Sequence, residues 1–137
     1  MKRIINVFVD TNVIVSSILY PNSLPKLAIL KATTEPYRLF TSVYCINELA
    51  DVFKKKFPNM LDRMDEFLLH DLDDITVVNT FINSVEEEKL LRDPNDREVL
   101  RGAIASNADI LLTGDKDFID SDISNPKIHN PKSFLEL

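Results

Sequence analysis

The chain has 137 residues, 45% of them hydrophobic, which is enough for one domain with a real core and too apolar for a disordered chain. Its 16 basic and 22 acidic residues leave a net charge of -6, which argues against nucleic-acid binding driven by overall charge, and the lone Cys45 excludes an internal disulfide. No apolar run reaches the length of a membrane span, and Asn6, Asp10 and Asn12 interrupt the stretch after Met1-Lys2-Arg3, so a soluble protein of the reducing cytoplasm is expected, with no membrane partner.

Taken in chain order, Ile4 to Val9 is a short β-branched run suited to a strand buried on both faces, and it ends at Asp10. A turn of helix follows, broken at Tyr20-Pro21-Asn22, after which Ser23 caps a helix carrying Leu24, Leu27, Ala28 and Ile29 or Leu30. Pro36 closes that unit. Arg38 to Thr41 predicts a second strand, and Ser42 caps a helix whose apolar stripe is Ile46, Leu49, Ala50, Phe53 and Phe57.

Past Pro58-Asn59 the spacing of Leu61, Met64, Phe67, Leu68 and Leu72 predicts a helix from about Met60 to Leu72, and Ile75 to Val78 predicts a strand. Ser84 with Glu87 resembles a capping box, so a short helix ending near Leu91 is expected. Asp93-Pro94 starts a helix to about Ser106, Asp109 to Thr113 is a strand, Lys127 to His129 is a last one, and Pro131 opens a short terminal piece. Strands alternating with helices argue for an α/β domain with a mostly parallel sheet. Two glycines, Gly102 and Gly114, are too few for a phosphate-cradling loop, which argues against nucleotide binding of that kind.

In a parallel sheet, Asp10 and Asp115 both follow strands and share the carboxyl edge, where open α/β proteins bind ligands. The helix from Pro94 precedes a strand, so its amino end returns Asp93 and Asp96 to that edge, and Glu48 hangs near it two turns into its own helix. Asp96 precedes Leu100 by four residues and Ala103 by seven, on the core-facing stripe. Clustered carboxylates repel unless cations neutralise them, and hard oxygen ligands select Mg²⁺ or Mn²⁺. His70, His129 and one cysteine argue against zinc. One or two such ions suit phosphodiester chemistry.

Each residue also has a plainer reading. Asp93, Pro94 and Asp96 make a good helix start; Asp10 suits a strand-end turn; Thr113-Gly114-Asp115-Lys116-Asp117 has turn composition; and a helical Glu48 is usually solvated. Convergence on one edge is what favours the metal reading. Lys54-Lys55-Lys56 reads as favourable charge at a helix carboxyl end, and Glu86-Glu87-Glu88 as a solvated turn. Arg92, Arg97, Arg101 and Lys116 flank the acidic edge and could hold phosphates.

Val9-Asp10-Thr11-Asn12-Val13, Asn47-Glu48-Leu49, Arg92-Asp93-Pro94-Asn95-Asp96 and Leu112-Thr113-Gly114-Asp115-Lys116-Asp117-Phe118 resemble, in order and spacing, the four acidic motifs of the PIN-domain nucleases. The likeness is nearest to the toxin components of toxin-antitoxin modules, whose terminal Pro-x-x-Phe-Leu piece matches Pro131 to Leu135. The resemblance implies a single PIN-like α/β/α domain over residues 1–137, with a central sheet of about four to five strands. It implies Asp10, Glu48, Asp96 and Asp115 as catalytic, metal-binding acids, Asp117 and Asp93 as accessory ligands, and Thr11, Asn12 and Thr113 as supports. It further implies a Mg²⁺- or Mn²⁺-dependent ribonuclease acting on single-stranded RNA, a cognate antitoxin and a homodimer. Two rivals remain. A phosphotransfer domain would place its nucleophile at a strand end, but Asn12 stands where a haloacid-dehalogenase-type site has a second Asp. A non-catalytic RNA-binding or interaction module would tolerate loss of an acidic position, and all four are intact.

Overall fold

The computed structural model describes residues 3–80 and 86–137. Five strands, β1 (Ile5–Val9), β2 (Tyr37–Ser42), β3 (Thr76–Val78), β4 (Ile110–Leu112) and β5 (Lys127–His129), form one sheet in the order β3-β2-β1-β4-β5. Every pairing is parallel, with Val7 opposite Leu39 on one side and Ile110 on the other. The chain folds from β1 outward to β2 and β3, then crosses back to lay β4 on the other side of β1. The order therefore reverses between β1 and β4, and their carboxyl ends open onto the crevice where such sheets hold ligands.

Alternation along β1 explains the layers. Val7 and Val9 face a core shared with α1 (Thr11–Leu19), α2 (Leu24–Ala32), α3 (Val43–Lys56), α4 (Leu61–His70) and α7 (Pro131–Leu135). Phe8 points the other way, with Leu111, into a core made with Val99, Leu100 and Ala103 of α5 (Pro94–Ala105) and Phe118 of α6 (Lys116–Ile119). Two apolar faces on the sheet demand helices on both sides, hence α/β/α. Among the described residues no single helix is long and apolar enough to cross a membrane.

The expected elements are present with shifted ends. β1 begins at Ile5, not Ile4; β2 takes in Tyr37 and Ser42; β3 begins at Thr76; and β4 stops at Leu112. The segment expected as one helix over 60–72 is split, with 3₁₀ turns over Pro58–Met60 and Asp71–Asp74 on either side of α4. Phe57 falls just beyond α3, as its cap residue. The helix expected to end near Leu91 is a 3₁₀ segment over Glu86–Leu90, and Ser84 of the supposed capping box lies outside the described residues.

Gly102 sets how closely α5 approaches the sheet. A β-carbon there would stand 2.8 Å from Cζ of Phe8 and 3.1 Å from Cβ of Ser42, and Phe8 is fully buried and cannot swing away. Gly102→Ala should therefore lower stability by about 1–3 kcal/mol, against the ~1 kcal/mol gain expected from helix propensity alone. Chemical denaturation reads the difference, and a stabilised variant would contradict the tight packing.

Candidate metal centre

Four helices begin at the carboxyl edge of the sheet, and their first residues build the site. Asp10 ends β1 and caps α1, its Oδ1 accepting from the Thr11 backbone N–H at 2.6 Å. Ser42 ends β2 and caps α3, accepting from the Cys45 N–H. Asp93 caps α5 by accepting from the Asn95 N–H at 2.9 Å, and Asp115 caps α6 by accepting from the Asp117 N–H at 2.9 Å. The plain helix-start reading of Asp93 is thus true as well, and Asp10 and Asp115, read from the sequence as turn residues, are helix caps too. The four caps place four helix amino ends, each partially positive, around the same group of carboxylates.

The centre of the group is tight. Asp96, Asp115 and Asp117 each offer a carboxylate oxygen, and those oxygens lie within 4.8 Å of one another. Asp96 is only 6% exposed, and its Oδ2 is buried without a hydrogen-bond partner among the described residues. A buried carboxylate oxygen left unpartnered beside two further carboxylates is costly, and either a proton or a cation would relieve that cost. Burial, and next the charge of Asp115, push the Asp96 carboxyl up to about 7.

Asp10 is 4% exposed and reaches the group through a hydroxyl. Thr113 Oγ1 donates to Asp10 Oδ2 at 2.8 Å and accepts the Asp115 backbone N–H at 3.1 Å. Asn12 spans the same gap, donating to Asp10 Oδ2 at 3.4 Å while its Oδ1 accepts from the Gly114 N–H at 3.2 Å. Thr11 turns its hydroxyl to the Cys45 carbonyl, tying α1 to α3. Burial raises the Asp10 carboxyl to about 6 despite the bonds from Thr113 and Thr11, and the charges of Glu48 and Asp115 push the same way. Glu48 is half-buried on α3 and close enough for its charge to act on Asp10. It is not in the 4.8 Å group, and neither are Asp10 and Asp93.

The cations divide. Arg92 is fully in solvent, 94% exposed, with its guanidinium 3.9 Å from Asp117, and Lys116 is exposed in the first turn of α6. Arg97 donates to the Leu91 carbonyl at 2.9 Å. Arg101 is committed elsewhere: it grips both carboxylate oxygens of Glu88 at 2.8 Å and also reaches Glu98. Glu88 itself is 6% exposed, so the reading of Glu86-Glu87-Glu88 as a solvated turn holds for its first two residues only. The partner that draws Glu88 inward is thirteen positions away, beyond any local pattern.

Sequence reasoning also passed over Tyr44. It lies one turn before Glu48 on α3, and its hydroxyl donates to Asn95 Oδ1 across the cleft. Burial, and next the charge of Glu48, raise the phenol to about 12, so it remains a donor at neutral pH. Four-residue spacing from Glu48 is the signal that marks it.

Known proteins resemble this chain in sequence and in fold. The profile of a family described as PIN domain matches residues 6–117, a span containing every acidic residue named above. An uncharacterized protein of Methanocaldococcus jannaschii is 29% identical over 99% of this chain and 94% of its own. Among solved structures, VapBC2 from Rickettsia felis bound to a DNA fragment from their promoter is similar with a TM-score of 0.68 and 20% identity, covering 92% of this chain and 98% of that one. VapBC-1 from nontypeable Haemophilus influenzae is similar with a TM-score of 0.58 and 18% identity, over 93% and 99% of the two chains. At these identities the structural likenesses speak for the fold.

Proposed function

The chain belongs to the PIN domain family, and on that premise we propose that it is a ribonuclease that cuts single-stranded RNA with the help of Mg²⁺ or Mn²⁺. The observation that carries this is the buried, unpartnered Asp96 Oδ2 among the carboxylates of Asp115 and Asp117. An all-oxygen donor set of this kind fits a hard divalent ion. Asp96, Asp115 and Asp117 would hold one or two ions, with Asp10 and Glu48 completing the set and Asp93 at the margin. Such an ion, when bound, lowers the pKa of water and neutralises charge on a phosphodiester.

The protein's own part is to aim the carboxylates, with hydrogen bonds that offset part of the burial that raises Asp10. Thr113 and Asn12 hold Asp10 from the β4 side, and the Thr11 N–H holds its other oxygen. Four helix amino ends favour negative charge in the cleft, both the carboxylates' and a substrate phosphate's. Arg92 and Lys116, exposed beside Asp117 and Asp115, suit the RNA backbone on either side of the scissile bond, whereas Arg101 is taken up by Glu88. In-line attack by water would leave a 5′-phosphate and a 3′-hydroxyl. The likeness to VapBC structures supports the further reading of a toxin that pairs with an antitoxin; a cytoplasmic location and pairing with a second copy belong to the same proposal.

The test is incubation of purified protein with mixed single-stranded RNA in Mn²⁺, in Mg²⁺ and in chelator, beside Asp10→Asn and Asp96→Asn. Metal-dependent cleavage by the wild type alone, with 5′-phosphate products, is expected. Equal cleavage by the variants, or cleavage that survives chelator, would contradict the site. Complete inactivity of all three would favour the interaction module instead.

A further inference from the structure

Two helices carry acids into the cleft from separate layers. α3 brings Glu48, and α5 brings Asp93 and Asp96. Their charges repel across the cleft, and an ion pair between the helices would neutralise one of the carboxylates the site requires. Among the described residues, the side-chain hydrogen bond that joins α3 to α5 is uncharged: the Tyr44 hydroxyl donating to Asn95 Oδ1. Its two ends adjoin the acids, since Tyr44 stands one turn before Glu48 and Asn95 directly before Asp96.

The rest of each residue is pinned. The Asn95 backbone N–H is held by Asp93, and the Tyr44 ring packs against the core that contains Phe8, Val99 and Leu100. The hydroxyl and the amide can therefore meet only if α3 and α5 keep one separation. Building on the metal-nuclease reading, we propose that Tyr44 and Asn95 form a positioning clasp that fixes the distance between Glu48 and Asp96 so that both can serve one metal centre. Neither residue touches the ion or the RNA in this role.

Tyr44→Phe keeps the ring and deletes the hydroxyl, and Asn95→Ala deletes the acceptor. Each should weaken Mn²⁺ binding, measured by calorimetry without RNA, by about 10-fold, the scale seen for outer-shell partners of metal ligands. Each should lower kcat by a similar factor with KM little changed, and the double variant should be no worse than either single one. Melting temperatures of the metal-free proteins should stay within roughly 2 °C of wild type.

Additive losses in the double variant would overturn the clasp, as would lower melting temperatures with wild-type Mn²⁺ affinity, the sign of a merely structural bond. Tyr44→Leu serves as a further check. If it raises KM while Tyr44→Phe behaves as wild type, the ring is an RNA contact and the clasp is wrong. If wild-type protein binds Mn²⁺ and cuts RNA while both clasp variants match it, the nuclease reading stands and the clasp falls. If wild type neither binds nor cuts, both fall.

Discussion

Asp96→Asn should abolish cleavage and at the same time make the metal-free protein more stable. The loss of activity should exceed about 100-fold, beyond what removal of an outer-shell partner produces. The gain in stability follows from the linkage of folding to protonation. Asp96 is pushed up to about 7 and Asp10 to about 6 in the fold, whereas in the unfolded chain both titrate near 4. Between about pH 4 and pH 7 the folded, metal-free protein thus binds more protons than the unfolded one, so stability falls as pH rises through that window. An amide at position 96 removes one of the two penalties. The penalty is shared with the neighbouring Asp115 carboxylate, so roughly 1 kcal/mol, or about 3–6 °C in melting temperature at pH 7.5, is expected. The wild-type melting temperature should climb toward pH 5, and that of the variant should climb less. A variant that is both inactive and less stable would point to a packing role for Asp96.

Divalent ions should reverse the penalty in the wild type. At a free Mn²⁺ concentration 100 times the dissociation constant, binding to the folded state alone contributes about 2.7 kcal/mol, or roughly 8 °C or more. Protons compete for the same carboxylates, so the shift should be large at pH 7.5, much smaller at pH 5, and absent in chelator. Asp10→Asn should blunt it as well, because Asp10 joins the group through Thr113. A Mn²⁺ shift of equal size in wild type, Asp10→Asn and Asp96→Asn would place the ion elsewhere.

Much of this site is legible in the sequence, and the reason is topological. Strand ends of a parallel sheet share an edge, so Asp10 after β1 and Asp115 after β4 had to meet, and a helix leading into β4 had to begin there with Asp93 and Asp96. The position of Asp96 on the apolar stripe of α5 foretold its burial. Contacts without a period stayed hidden. Arg101 looked available for phosphate because nothing local reveals that Glu88, in an acidic run, folds under it. The Tyr44–Asn95 bond joins two helices across the sheet edge, and pattern along one helix says nothing of its neighbour. Boundaries drifted where 3₁₀ turns flank α4, since a 3₁₀ turn and a helix end share their hydrophobic spacing. The close approach of Gly102 to Phe8 is likewise a contact between elements, with no mark in the local sequence.

Asp96 and its neighbours form the proposed cation site, and a calorimetric titration of the metal-free protein with Mn²⁺ at pH 7.5 tests that most directly. Wild type should bind, release a fraction of a proton on binding as the raised carboxyl of Asp96 gives it up, and lose most of its affinity in Asp96→Asn. Binding of undiminished affinity in Asp96→Asn, or no binding by a wild-type protein that still cuts RNA, would contradict it.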